Sequence, residues 1–548
     1  ARGGKRIRDL AGGAVASTIH LRCALSPTLG PDFSAPRRSM DTSTAIVSVY
    51  SALAGLVAVF GAHRAWLLAR FRWAEREPLP AFDEARAPHV TLQLPLYNER
   101  TVAARLLRAA GELDYPREKL ELQVLDDSSD ETRAIVDREV ARLVRLGVDA
   151  RVVRRTGRTG YKAGALAHGL ESAKGEFVGV FDADFAPRPD FLRRTMGAFA
   201  DPCIDLVQAR WEHLNRDESA FTRAQAVLLD GHFVITHKVR FDRGLFLHFN
   251  GTAGVWRKSA IERAGGWQHD TLTEDLDLSY RAQLAGSRLR YAAHVTAPAE
   301  LPGDIAAFKS QQARWARGTV QTARKLLGRI LRADLPWRVK LEAALHFSAH
   351  AGHPIVLALV ALFPFAVGVA SKVAFGWYAV LLGLCTPAVL LFHERAQRAL
   401  GRNGRQRARD CVLAVVLGLG MSGGLARAAL AGLRGPTGEF VRTPKRGDGR
   451  QRAYGAALAA RPGFEFVLAA WALFGVVQAG RAGAWAAAAF AALYVAGFAW
   501  VGWLSVVHAR RERFAHDESS SPASTVDGAP AREPRTRPSK ARTRARAS

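Results

Sequence analysis

The residues with the most direct chemical meaning are Asp182-Ala183-Asp184, which close the apolar run Phe177 to Phe181. Carboxylates one residue apart at a strand exit can both reach one cation. Alternatively, one reaches the cation and the other a ribose or a water. A hard divalent ion, Mg²⁺ or Mn²⁺, suits one or two carboxylates completed by phosphate oxygens, and it would neutralise charge developing on a diphosphate leaving group. A solvated turn has the same Asp-x-Asp pattern; the apolar run directly ahead is what favours a site.

Further groups recur along the chain. In Asp126-Asp127-Ser128-Ser129-Asp130, helix capping accounts for Asp130. It does not account for Asp126 and Asp127, which a nucleobase or ribose could occupy. Lys162, in Gly160-Tyr161-Lys162-Ala163-Gly164, opens a helix, where a cation opposes the dipole but could share an anionic diphosphate with the helix N-terminus. Thr273-Glu274-Asp275 reads either as a cap with acids in the first turn or as a general base that takes a proton from an acceptor hydroxyl. In Gln311-Gln312-Ala313-Arg314-Trp315 an indole could stack on a sugar ring while Arg and Gln hold a diphosphate or hydroxyls. An interfacial Trp beside a snorkelling Arg is the other reading. His346, His350 and His353 share one helix face and read as lining a polar passage or bonding within a bundle rather than as metal ligands.

The elements that must position these groups alternate. Strands are expected at His89 to Leu94, Leu120 to Leu125, Arg151 to Val153 and Phe177 to Phe181, with helices at Val102 to Leu113, Thr132 to Leu146 and Lys162 to Ala173. This is a βαβ series and predicts a mostly parallel sheet. In such sheets ligands sit beyond the carboxyl ends of the strands. Asn98-Glu99, Asp126-Asp127 and Asp182-Ala183-Asp184 all fall there.

At 548 residues more than one structural unit is required. The net charge of +27 fits nucleic-acid binding, anionic lipid, or the positive-inside loops of a membrane protein. Basic residues crowd beside apolar segments and no nucleic-acid module accompanies them, so the lipid bilayer is the expected partner and nucleic acid is not. The four cysteines, Cys23, Cys203, Cys385 and Cys411, have no metal-knuckle spacing.

A crossing helix needs about 20 mostly apolar residues. Segments 44–63, 343–370, 374–393, 463–480 and 484–507 qualify. Segment 411–433 carries Arg427, is flanked by basic loops and contains Gly423-Gly424, and it is expected to be interfacial or re-entrant. The expected organisation is a leader over 1–39, with Met40 as the start and upstream translation, a disordered extension or a targeting peptide as readings of what precedes it. A first span and linker follow over 40–79, then an α/β domain over 80–330. Membrane helices occupy 331–510, including a loop at 434–455, and a disordered basic tail covers 511–548.

The order of these motifs resembles family 2 glycosyltransferases of the GT-A (Rossmann-like) fold. The resemblance is strongest to the cellulose-synthase-like A group, the mannan and glucomannan synthases, and its bacterial relatives. It runs from about residue 85 to 455 on LPLYNE (94–99), DDSSD (126–130), YKAGAL (161–166), FDADF (181–185), FNGTAGVWR (249–257), AGGW (264–267), TEDLDLSYRA (273–282), QQARW (311–315) and FVRTPK (440–445). It implies that Asp126 and Asp127 hold the nucleotide, Asp182 meets the diphosphate and Asp184 binds the metal, with Asn98, Glu99 and Lys162 on the donor side. Asp275, beside Glu274, would be the base of an inverting transfer. Gln311, Gln312, Arg314 and Trp315 would form the acceptor and pyrophosphate site at a channel mouth, and Phe440, Thr443 and Lys445 a gating loop. Ala316-Arg317-Gly318 and the single N-terminal span depart from the group and leave the sugar open.

The expectation is therefore an α/β GT-A domain on the cytoplasmic side, inserted in a bundle of about five spans in a bacterial-type inner (plasma) membrane. It would move a hexose from UDP-glucose or GDP-mannose, with Mg²⁺ or Mn²⁺, onto a growing β-linked polysaccharide, glucan, mannan or glucomannan in type. Non-processive transfer to a lipid acceptor is the first alternative. A non-catalytic membrane protein that binds lipid or nucleic acid through its basic loops is the alternative of another class.

Overall fold

The computed structural model describes residues 41–74, 78–369, 372–435, 447 and 463–520. The expected leader, most of the basic tail, and Phe440, Thr443 and Lys445 of the expected gating loop lie outside the described residues.

The chain opens with helix α1 (Thr42–Arg70) and then builds an α/β unit. Its elements are β1 (Val90–Leu96), α2 (Ala103–Gly111), β2 (Leu120–Asp126), α3 (Thr132–Arg145), β3 (Asp149–Val153), α4 (Tyr161–Glu171), β4 (Phe177–Val180), α5 (Phe191–Met196) and β5 (Ile204–His213). After them come α6 (Ala220–Asp230), a π-helix (Gly231–His237), α7 (Lys238–Asp242), β6 (Gly254–Arg257), α8 (Lys258–Arg263), α9 (Glu274–Leu284), β7 (Arg288–Ala299) and the long α10 (Ile305–Arg332). Every strand and helix expected up to Asp182 is present, with ends shifted by at most two residues.

The sheet order is β3-β2-β1-β4-β6-β5-β7. The first four strands are parallel, as are β5 and β7, but β6 runs antiparallel to both β4 and β5. The sheet is therefore mixed, and the block after Asp182 supplies the strand that the βαβ reading did not foresee. Pro95 falls inside β1 because the pairing with β4 ends at Gln93, so on that side no ladder bond is asked of it. α2 shows why the faces fold as they do. Ala103, Leu106, Leu107 and Ala110 are buried, a helical stripe. Fully burying each of the two leucines contributes about 1.5–3 kcal/mol.

Strand order reverses between β1 and β4, since β2 and β3 continue on one side of β1 and β4 lies on the other. This is the switch point at which an open α/β sheet forms its crevice. Tyr97-Asn98 leave β1 there and Asp182 leaves β4.

Beyond α10 lie α11 (Trp337–Phe347), α12 (Gly352–Val369), α13 (Lys372–Ala399), α14 (Gly404–Gly432), α15 (Phe464–Arg481) and α16 (Trp485–Ser520). Among the described residues five helices are long and apolar enough to cross a membrane: Thr42–Arg70, Ala349–Val369, Gly404–Gly432, Phe464–Arg481 and Trp485–Arg511. The chain is an integral membrane protein by this measure. The expected span at 374–393 lies within α13. The helix expected to end at 507 runs on to Ser520, into the segment read as tail.

Segment 411–433 departs from expectation. It is part of one unbroken 29-residue helix, and its glycines serve contact rather than interruption. A Cβ on Gly420 would lie 2.2 Å from the Gly497 carbonyl oxygen, and one on Gly423 would lie 2.8 Å from Leu468. Small residues let helices approach closely in this way. Both ends of α14 nevertheless meet chain that belongs to the α/β unit. Asp410 accepts from Arg216 at 3.2 Å and lies 3.3 Å from Arg223, while the Gly432 carbonyl accepts from Arg324 of α10 at 3.4 Å.

Candidate active site

A cavity of about 710 Å³ opens at the switch point and runs into the helices. Its wall carries Glu99, Asp127, Lys162, Asp182, Asp184, Glu274, Asp275, Gln311, Gln312, Arg314 and Trp315. Residues from three strand ends, the first turns of α4 and α9 and the N-terminal half of α10 are thus brought to one space. Asn98 and Asp126 are not on the wall.

Those two position their neighbours. Asn98 sits at φ 54°, a left-handed conformation that Asn tolerates better than most residues. Its backbone N–H donates to Ser128 Oγ and its Oδ1 accepts from Ser129 N, each at 2.9 Å, which ties the exit of β1 to that of β2. Asp126 is buried, held by Arg154 Nε at 3.0 Å and accepting from Ser128 N at 3.0 Å. Asp127 faces the cavity, paired with Arg155 Nε at 3.0 Å. Asp130 accepts from Thr132 N at 3.0 Å and so meets one N–H at the start of α3, although the cap position itself is Glu131, which makes no side-chain cap bond.

Lys162 is not a solvated surface lysine. From the first turn of α4 its Nζ lies 2.5 Å from Asp182 Oδ1 and 3.8 Å from Glu274, and it donates to the Gly251 carbonyl at 2.9 Å. Burial alone would lower the Lys162 pKa, but the charges of Asp182, Glu274 and Asp275 outweigh it and hold it above its ordinary value. Asp182 is raised by burial and by Asp184, against the pull of Lys162. The peptide N–H of Asp182 donates to Thr252 Oγ1 at 3.0 Å, fixing the turn.

Thr273 bears on the two readings of its motif. It precedes α9 but makes no side-chain cap bond; its hydroxyl pairs with Thr322 of α10 at 3.1 Å. Thr273 therefore does not cap α9, while Glu274 and Asp275 stand in its first turn, where Asp275 Oδ1 accepts from Leu276 N at 2.7 Å. Burial raises Glu274 to about 7, Asp275 adding to the shift and Lys162 opposing it. Burial would raise Asp275 as well, but the neighbouring His248, 3.7 Å away, and then the charge of Lys162 bring it below the usual carboxylate value. Adjacent acids whose environments push their pKa values apart can take different roles, one ionised at neutral pH and one able to hold a proton.

Asp182 and Asp184 on the wall, with room for phosphate oxygens, suit a hard divalent ion, which commonly takes one or two protein carboxylates and completes its shell from the substrate. Trp315 stands with its ring 6.5 Å from that of Trp211, so the indole of α10 lies inside the cavity rather than at a lipid boundary. His346, His350 and His353 line the far part of the same cavity; His346 Nδ1 lies 2.8 Å from the Tyr280 hydroxyl.

Several residues escaped the sequence reading. His248 lies 3.7 Å from Asp275, and Gly251, at φ 80°, lets the backbone pass beneath it. Asn250 and Gly251 belong to FNGTAGVWR, so that motif held the signal. His232 and His237 meet only because the π-helix turns them together, which no α- or β-period reveals. Burial, then the charge of neighbouring histidines and of Arg240, holds both well below the usual imidazole value.

Residues 87–318 match the family model described as glycosyltransferase like family 2. Over 250 residues the chain is 44% identical to glucomannan 4-beta-mannosyltransferase 2 of Arabidopsis thaliana, covering 45% of this chain and 47% of that protein. Over 258 residues it is 43% identical to glucomannan 4-beta-mannosyltransferase 1 of Oryza sativa subsp. japonica, covering 46% and 50%. The chain thus spans about half the length of the curated relatives it matches. Among solved structures, a mannosyltransferase from Pyrobaculum calidifontis in complex with GDP-Man and Mn²⁺ aligns with a TM-score of 0.50 at 24% identity, covering 71% of this chain and 99% of that one. That likeness carries the fold. These curated relatives are plant proteins and lend no support to a bacterial-type membrane.

Proposed function

We propose that this chain, whose residues 87–318 are a family 2 glycosyltransferase domain of GT-A type, transfers mannose from GDP-mannose to a growing β-linked polysaccharide. The observation that carries the reading is the continuity of one cavity. It begins at Asp182, Asp184 and Asp275 and extends, past Trp315, to His350, Val356, Leu419 and Ser422 among the helices. A volume of about 710 Å³ lies within the range of small-molecule sites, and its length gives an elongating chain somewhere to go. GDP-mannose is preferred to UDP-glucose because the curated relatives are named as mannosyltransferases.

In this mechanism Asp275 accepts the proton of the acceptor hydroxyl as that oxygen attacks the anomeric carbon from the side opposite the diphosphate, which inverts the linkage. A carboxyl held below its usual value is ionised at neutral pH and needs no preparation for that step. Asp184, with Asp182 beside it, would hold a Mg²⁺ or Mn²⁺ ion, which supplies charge neutralisation at the departing diphosphate. Lys162 and Arg314 add positive charge on the same side. Asp127 takes the nucleotide, and Trp315 offers its face to the acceptor sugar with Gln311 and Gln312 available to its hydroxyls. The catalytic domain is taken as cytoplasmic, where nucleotide sugars and the basic loops belong.

The test supplies membranes containing the chain with GDP-mannose or UDP-glucose separately, with Mg²⁺ or Mn²⁺, and sizes the product on a gel. Polymer formed from GDP-mannose and cleaved by a β-mannan-specific hydrolase is the expected result. A product of fixed short length would overturn processive transfer, and a lipid-extractable one would point to the lipid acceptor.

A further inference from the structure

We propose that His232, His237 and His248 form a binding site for a borderline transition-metal ion of the Zn²⁺ type, distinct from the hard-cation site at Asp184. Each of the three offers a ring nitrogen, and these atoms all lie within 4.8 Å of one another. A tetrahedral ion with Zn–N bonds of 2.0–2.1 Å needs its nitrogens about 3.4 Å apart. The set therefore closes with movements of about one ångström, within reach of small side-chain rotations.

The backbone is built for this convergence. In an α-helix, residues five apart point about 140° away from each other. The π-helix at Gly231–His237 underwinds the turn, and His232 and His237 come face to edge with ring centroids 4.5 Å apart. π-turns of this kind are frequent at functional sites. His248 arrives from the loop before β6 and completes the group, 6.3–6.4 Å from the other two ring centroids.

The nitrogens themselves point to a ligand. His237 is fully buried, and neither of its ring nitrogens has a hydrogen-bond partner, nor has either nitrogen of His248. A buried polar group without a partner is unfavourable unless something else satisfies it, and a bound cation would satisfy these. Asn250 supplies the supporting contact. Its amide lies 3.1 Å from His232 Nε2, and its Oδ1 has no partner. With the amide turned, Oδ1 accepts the Nε2–H, which leaves Nδ1 of His232 with the lone pair a metal requires. His232 and His248 also line the cavity, which gives an ion its entry and leaves a coordination position open. Asp275 borders the group on the His248 side, while Arg64 and Arg240 bear on it from α1 and α7. Three neutral imidazoles suit Zn²⁺, Cu²⁺ or Co²⁺ better than Mg²⁺.

The test uses the full chain in detergent, without an oligohistidine tag, in an Asp184→Asn background that removes the hard-cation site. Co²⁺ is titrated and read by its visible absorption and by equilibrium dialysis, with Zn²⁺ as competitor. One Co²⁺ per chain, displaced by Zn²⁺, is expected, with affinity at least about 100-fold weaker in His237→Ala and 10–100-fold weaker in Asn250→Ala. The second variant keeps all three ligands and serves if the first does not fold. No bound Co²⁺, or binding unchanged in both variants, overturns the site. Because the readout is metal absorption, a failure here leaves the glycosyltransferase reading standing, and a failure of sugar transfer leaves this site testable.

Discussion

Lys162 holds Asp182 with an Nζ–Oδ1 distance of 2.5 Å, joining the first turn of α4 to the carboxyl end of β4. A cation that opposes the dipole of its own helix is thereby fixed against the acid expected to face a diphosphate. Replacing Lys162 with Met leaves that acid without its partner. Transfer of labelled mannose is expected to fall about 10²-fold, with the circular-dichroism spectrum unchanged; undiminished transfer would remove Lys162 from the site.

Asp275→Asn keeps the shape of the first turn of α9 but cannot take a proton. The expected loss in the rate of transfer is about 10²- to 10⁴-fold, with donor affinity within a few-fold of the parent. A variant that still transfers at the parental rate would show that the base lies elsewhere.

Glu274 gives a signed pH dependence. Its carboxyl is raised to about 7 by burial and by Asp275, so between the unfolded value of 4.5 and about 7 the folded chain binds more protons than the unfolded one. Stability contributed by this group is therefore lost as pH rises through that window. Glu274→Gln, permanently neutral, is expected to gain thermal stability over the parent as pH goes from 5 to 8. The gain is on the order of 1–3 kcal/mol, read as a widening gap in unfolding midpoints without metal or donor. A gap that narrows with rising pH would contradict the placement of Glu274 in a low-dielectric wall.

At Gly251 the backbone has φ 80°, and an added Cβ would lie 2.9 Å from Asp275 Oδ2 and 3.2 Å from Lys162 Nζ. Gly251→Ala should cost about 1–2 kcal/mol from the left-handed backbone and at least tenfold in transfer, because the methyl intrudes between base and lysine. Loss of stability without loss of turnover would mean that the crowding is relieved away from the site.

Where α14 crosses α16, Gly420 meets the backbone of Gly497. Gly420→Leu must push the helices apart and is expected to destabilise the bundle by about 1–3 kcal/mol, seen as a lower unfolding midpoint in detergent. An unchanged midpoint would mean that the two helices do not pack through these glycines.

The amino-acid sequence by itself determined the α/β series, the strand-end clusters and the apolar helices. Those features rest on local periodicity and on polar residues that follow apolar runs: β1 to β4 and α2 to α4 are each written within a dozen or so neighbouring residues. Only the tertiary structure decided which polar residues share a space. Asp126 and Asp127 are adjacent in the chain, yet one is spent on Arg154 beneath the wall and the other faces the cavity, because successive residues leaving a strand point to opposite sides. The capping reading of Thr273 failed through Thr322, 49 residues away. The antiparallel β6 and the pairing of His248 with Asp275 depend likewise on contacts between distant segments. His232 and His237 lie close in sequence, but they converge only through a π-turn that the surrounding packing holds in place. Local spacing dictates elements, whereas the partners of a buried charge are set by whatever the fold brings within a few ångströms of it.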